Sequence, residues 1–448
     1  MDDTQVTQKL AYLVSSAKDI QLDEELISQV KKVYLDYLGS AVAGSHTDVS
    51  KLVYNTILQM EGESNYNVFG FEKGLSISDA AFVNGTSSHS LDIDDGHTGG
   101  SIHPATVVLS ATIAVAQKVR PNFEELTKAT IIGYEVCLRI SSAIHPSSRE
   151  RGFHNTPVAG IFGAVAAVCV LYDLSEEEVK HAIGIAASFA SGLFAFLGTG
   201  SEVKRIHPGK AARDAVLAVE LTKAGLSGPK AVLEAENGVF QAFAGREILW
   251  ERLNKKDTEP YEIMNIYFKP YPCCRHLHSS IDAIYELKRK YSFDVEEIAA
   301  IRTGVNDITY LHRHKKFHSM LDAQMSLPYA AAAAIVYPIL ETNHFNSEYA
   351  DQSVLSLAQV VEVETDEEAN HVYPGERLAK VEISLKDGTV LAETVRNPLG
   401  EPNNPLSDEK MAQKVLANCT PVIGEEKTKN LIHQIGEMEK GIEFLYEI

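Results

Sequence analysis

The chain has 448 residues, 45% apolar and 23% charged, with a formal net charge of −20. That length can bury a large core and points to two or more domains. The acidic balance, without any Lys/Arg run, argues against a nucleic-acid binder. It leaves room for a small anionic substrate, which responds to the local field of a cleft. The five cysteines (Cys137, Cys169, Cys273, Cys274 and Cys419) have neither metal-site spacing nor a paired framework, so they read as reduced thiols of a cytoplasmic protein. The opening Met1-Asp2-Asp3-Thr4 shows no apolar signal-peptide core. The longest apolar runs, near 160–172 and 330–340, fall short of a membrane span and read as buried helices.

In chain order, the first 265 or so residues read as successive helices. Over 23–44, Leu26, Ile27, Val30, Val33, Tyr34, Tyr37 and Leu38 recur at helical spacing and form one apolar face. Ser175-Glu176-Glu177-Glu178 is a capping box, and the helix it opens carries Ala182, Gly184, Ala186 and Ala187, small enough for close helix contact. After Tyr267 the texture changes. A short helix over 279–290 precedes an alternating strand over 297–305. Val381, Ile383 and Leu385 alternate again before Lys386-Asp387-Gly388 and a further strand over 389–395, a hairpin signal. Pro398, Gly400, Pro402 and Pro405 break the chain, and Ser407 caps a final helical stretch that packs back on the helical body. The fold class expected is mainly α with an α+β second domain: a large helical domain over 1–267 and 401–448, and an α+β domain over 268–400.

The chemically densest stretch runs from Asn84 to His103. It holds His89, Asp92, Asp94, Asp95, His97 and His103 beside small residues that permit close backbone approach. Acids and imidazoles so placed either ligate a metal or move protons on a substrate. A structural reading competes with both: the acids cap helix N-termini, and His89 is a satisfied buried histidine.

Several blocks recur in an order that resembles the MmgE/PrpD family, which includes 2-methylcitrate dehydratases, cis-aconitate decarboxylases and iminodisuccinate epimerase. They are Asp36-Tyr37-Leu38-Gly39, His89-Ser90-Leu91-Asp92-Ile93-Asp94-Asp95, His103-Pro104, Gly152-Phe153-His154-Asn155-Thr156, Val203-Lys204-Arg205-Ile206-His207-Pro208-Gly209-Lys210, Lys269-Pro270-Tyr271-Pro272-Cys273-Cys274-Arg275 and Asn404-Pro405-Leu406-Ser407. The resemblance implies a homodimer, a helical large domain, a smaller α+β lid with the active site between them, and chemistry without a metal or organic cofactor.

It also implies site residues. Asp92 and His103 fall at active-site positions, His103 as a proton-transfer group and Asp92 as a shaping residue. His154 precedes a small-residue helix whose N-terminal amides suit a carboxylate. Lys204 and Lys269 match lysines near the substrate. Cys274 stands where some decarboxylases have histidine, with His278 one helical turn further on, and Tyr329 matches a tyrosine reaching in from the lid. Two departures weigh against a dedicated 2-methylcitrate dehydratase. Gly96 replaces a hydroxyl residue common in the family, and Ser101-Ile102-His103-Pro104-Ala105 replaces a Trp-Gly-His-Pro-Ser-Asp-Asn run.

The function expected is therefore a cofactor-independent lyase that dehydrates or decarboxylates a small di- or tricarboxylate, using His103, Lys204 and Tyr329. The alternatives are an epimerase of an iminodisuccinate-like dicarboxylate, a metal-dependent hydrolase built on the His89–His103 cluster, and a non-catalytic relative that binds a carboxylate or a protein. No nucleic-acid or membrane partner is expected.

Overall fold

The computed structural model describes residues 5–197, 199, 201–245, 247–255, 259–346 and 351–447. The principal helices of the first part are α1 (Glu24–Gly44), α2 (Ile77–His89), α3 (Ala105–Val119), α4 (Phe123–Ile144), α5 (Asn155–Leu171), α6 (Glu176–Ala187) and α7 (His207–Lys223). Further along come α8 (His278–Lys290), β1 (Ile298–Val305), α9 (Leu327–Val336), β2 (Val361–Thr365), β3 (Ala379–Leu385), β4 (Val390–Val395), α10 (Asp408–Ile423) and α11 (Glu425–Gly436). The protein is thus mainly α with an α+β part. None of the described helices is long and apolar enough to cross a membrane.

Two compact units form. One comprises Met1–Phe194, Val203–Ile266 and Ser407–Ile448, and the other Ala195–Glu202 and Tyr267–Leu406. In the first unit the centre is α5, apolar all round and buried from Asn155 through Cys169. Helices α3, α4 and α7 pack against it. Side chains punctuate these helices. Asp23 accepts from the Leu26 amide at the start of α1, and Ser175 with Glu178 forms the reciprocal box at the start of α6. Ser407 accepts from the Lys410 amide, which sets where α10 begins.

The second unit holds a four-stranded sheet in the order β2-β1-β3-β4. Strands β3 and β4 form the hairpin signalled by Lys386-Asp387-Gly388, with Gly388 at φ 93° and Ser384 opposite Val390. Strand β1 runs antiparallel to β3, with Ile301 opposite Ile383, and parallel to β2, with Ile301 opposite Val361. Helix α8 packs on β3 and β4, and α9 is buried from Leu327 to Ile335.

One crossing in the first unit positions the chemistry described below. Helices α2 and α7 touch backbone to backbone at Gly85 and Gly209. A Cβ on Gly209 would lie 2.1 Å from the Phe82 carbonyl oxygen, and one on Gly85 2.7 Å from the Gly209 Cα. Neither position has space for a methyl group unless a helix moves. In an open helix Gly→Ala stabilises by about 0.5–1 kcal/mol. Here the crowding dominates, and Gly209→Ala is expected to destabilise by about 1–3 kcal/mol. Denaturant unfolding measures this; an unchanged or raised midpoint would contradict the packing.

Candidate active site

Helix α2 ends at the buried His89, and the chain then turns through Ser90–Pro104 to reach α3. Asp92 adopts a left-handed backbone, φ 58°, which costs a non-glycine residue about 1 kcal/mol or more and persists only where its surroundings impose it. The Asp92 carboxylate forms an ion pair with the Lys204 ammonium, 2.9 Å apart, both groups almost wholly buried. Lys204 lies just ahead of α7, so the Gly85–Gly209 crossing brings the two segments together.

The next acid has a different partner. Asp94 Oδ2 lies 2.8 Å from His89 Nδ1 and 3.2 Å from His103 Nδ1, one buried carboxylate oxygen between two imidazoles. His103 Nδ1 is also 2.6 Å from the Asp95 carbonyl oxygen. A carbonyl only accepts, so Nδ1 carries a proton, and any lone pair the ring offers is on Nε2. Asp95 is turned the other way. It accepts from Tyr134 Oη at 2.8 Å and from the Ala105 amide at 3.1 Å, which caps the start of α3. Burial, with Asp36 nearby, pushes its carboxyl well above the usual range.

The loop is tied down on its far side as well. His97 pairs through its amide with the Ile102 carbonyl, and Ser141 and Asn155 both donate to the Gly100 carbonyl. The His103 amide donates to Thr156 Oγ1 in the first turn of α5. His154 is the residue immediately before α5, and its Nδ1 lies 3.0 Å from Nδ1 of His207. Four rings therefore run in a row: His103 to His89 with centroids 4.9 Å apart, His89 to His154 at 6.3 Å, and His154 to His207 at 5.2 Å. Burial is the main reason the basicity of His89, His154 and His207 falls. His89 and His207 are lowered to about 4 and His154 well below its usual value, with Lys204 adding to each shift. These three rings are neutral at neutral pH, and next to them stands the Lys204 charge.

Comparison with known proteins decides the family. The MmgE/PrpD N-terminal domain matches residues 8–250, and the MmgE/PrpD C-terminal domain matches residues 271–438. The chain belongs to the MmgE/PrpD family. Relatives include a cis-aconitate decarboxylase-like protein of Aspergillus oryzae, 25% identical, the match covering 97% of this chain and 94% of the relative. They also include the cis-aconitate decarboxylases of Mus musculus, 25% identical over 97% of this chain and 91% of that one, and of Homo sapiens, 26% identical over 97% and 92%.

Of the residues that the MmgE/PrpD resemblance singles out, Asp92, His103, His154 and Lys204 all lie in the first unit, around the row of imidazoles. The other four lie in the second unit. Lys269 is fully buried there. Cys274 takes its amide hydrogen bond to the Gln324 carbonyl and has Sγ 4.0 Å from His312 Nε2. Both ring nitrogens of His278 are engaged within this unit: Nδ1 accepts from Arg275 at 2.9 Å and Nε2 donates to the Cys273 carbonyl at 3.2 Å. The Tyr329 hydroxyl donates to the His344 carbonyl at 2.8 Å, and its ring packs on Phe317 and Phe345. Burial raises that phenol to about 12, so it stays a donor.

The sequence alone assigns no role to His207 or His312 and groups Asp94 with the capping acids. The only available signal for His207 was its place three residues after Lys204, at the start of α7. His89, Asp94 and His103 together could also hold a metal ion, their ligand atoms lying within 4.8 Å of one another.

The low basicity of His89 has a measurable consequence. Its pKa is 6.5 when free and about 4 in the fold. Between those values the unfolded chain binds the extra proton, so stability falls as pH drops through that window, by up to about 1.4 kcal/mol per pH unit. His89→Gln removes this one contribution, and its unfolding midpoint is expected to fall less steeply than that of the unaltered protein from pH 6.5 to 4.5. Parallel slopes would contradict a neutral buried His89.

Proposed function

We propose that this protein is a lyase acting on a small di- or tricarboxylate of the aconitate type, by moving a proton at carbon next to a carboxylate. One observation carries the reading: His103 is oriented by Asp94 and the Asp95 carbonyl so that Nε2 is left to exchange a proton, in a cluster whose buried cation is Lys204. Family membership and the names of the relatives support it.

In this proposal His103 Nε2 is the catalytic base or acid. Lys204 holds a substrate carboxylate as a point charge, with the α5 N-terminal amides and His154 contributing donors. For decarboxylation, the bond to the departing carboxylate breaks, CO2 leaves, and its electron pair enters the conjugated system. A proton then reaches the carbon where that pair settles. For dehydration, the base removes a proton from carbon and the leaving hydroxide departs as water after protonation. The relatives' names favour decarboxylation. Lys269 and Tyr329 belong to the same proposal as substrate-facing groups, as does a homodimeric assembly.

The metal-dependent reading is weaker for a geometric reason. The Nδ1 atoms of His89 and His103 both point to one oxygen of Asp94, and His103 Nδ1 is committed as a donor to a carbonyl. A metal would therefore have to displace these Nδ1 hydrogen bonds or be held through the Nε2 lone pairs alone. Chelator treatment is accordingly expected to leave turnover unchanged. A loss reversed by a divalent ion would favour the metal reading.

The direct test is turnover of cis-aconitate, citrate, 2-methylcitrate and iminodisuccinate followed by NMR in D2O. One of the aconitate-type acids is expected to be consumed with deuterium incorporated at carbon. His103→Ala and Lys204→Ala are each expected to lower kcat by about 10²–10⁴-fold. Turnover that survives both substitutions would remove the site from the reaction.

A further inference from the structure

The loop that carries Asp92 and Asp94 is gripped from a distant part of the chain. Lys414, on α10 of the first unit, pairs with the carboxylate of Asp36 on α1 and donates to the Ile93 carbonyl at 2.5 Å. Ile93 separates the two acids of the site. Its preceding neighbour Asp92 holds the left-handed backbone, and its following neighbour Asp94 bridges His89 and His103. Asp36 is itself buried and adds to the rise that burial imposes on the carboxyl of Asp95, the residue whose carbonyl receives His103 Nδ1.

We infer that Lys414 is a positioning residue for this site. By holding the Ile93 carbonyl it fixes the peptide between Asp92 and Asp94. By pairing with Asp36 it also sets a cation beside the buried acid that faces Asp95. Both effects require a cation with several donors at one point, which a lysine ammonium supplies. The match to the family C-terminal domain, residues 271–438, includes Lys414, whereas Asp92, His103 and Lys204 fall in the N-terminal match. The two matched regions therefore meet at this contact inside a single unit. The C-terminal return of the chain contributes to the geometry of the site as well as to its packing.

The inference rests on the proposed function in calling the site catalytic, and its test separates the two. Lys414→Met alone takes this cation away from the buried Asp36, so the informative variant is the double substitution D36N/K414M, with Lys414→Arg as the conservative comparison. Three quantities are measured: the thermal midpoint, kcat and KM on the substrate found, and the imidazole NMR signals of His103 without substrate. D36N/K414M is expected to fold with a midpoint near that of the unaltered protein while the His103 signals move. Its kcat is expected to drop by about 10²-fold, the scale of a small misplacement of reacting groups, with little change in KM. Lys414→Arg is expected to restore both the signals and most of kcat. A folded double variant with unchanged His103 signals and kcat would overturn the inference. So would a double variant that fails to fold, because Lys414 would then serve the fold alone. Shifted His103 signals alongside full turnover in His103→Ala would leave the positioning role intact and reject the proposed function.

Discussion

The buried carboxylate of Asp94, shared between His89 and His103, is the interaction on which the rest of the site depends. A carboxylate removed from water is costly unless it is hydrogen bonded or neutralised. Four acids are almost fully buried here, Asp36, Asp92, Asp94 and Asp95, and each is accommodated differently. Asp92 has Lys204, and Asp36 has Lys414. Asp95 is pushed toward its neutral form and held by Tyr134 and the α3 amide. Asp94 alone is shared between rings. Together these partners fix the loop at several points, which accounts for the left-handed Asp92. They also fix the face that His103 presents.

The electrostatic result is a cluster of contrasting parts. Three imidazoles are kept neutral by burial, beside a lysine paired with Asp92. A proton taken from carbon needs a basic lone pair in a fixed direction, and a polyanionic substrate needs a compact cation that it can share. The same side chains provide both, which is why a proton-transfer lyase fits them better than a hydrolase built around a metal.

Much of the fold was legible because local signals agree with the tertiary structure. Ser175 and Ser407 cap the helices they precede, and Lys386-Asp387-Gly388 turns the β3–β4 hairpin. Strand β2 was not legible. It pairs in parallel with β1 across a long intervening stretch, and short-range alternation carries no information about such a partner. Ala195–Glu202 groups with the second unit although the chain around it belongs to the first, which composition does not disclose. Within the site, a run of three acids does not say which one faces two rings, so Asp94 looked like its neighbours. Lys414 sits in a helix among other polar residues, with no sequence signal that singles it out. Only the packing of α10 reveals what it holds.

The central claim is that His103 is locked with Nδ1 protonated and Nε2 available, by an acceptor that cannot itself donate. Long-range 15N–1H correlation of the histidine side chains, with His103 assigned by substitution and the sample at mildly alkaline pH, reads this tautomer directly. The account predicts a protonated Nδ1 and an unprotonated Nε2 for His103. A His103 protonated at Nε2 with Nδ1 bare would contradict it.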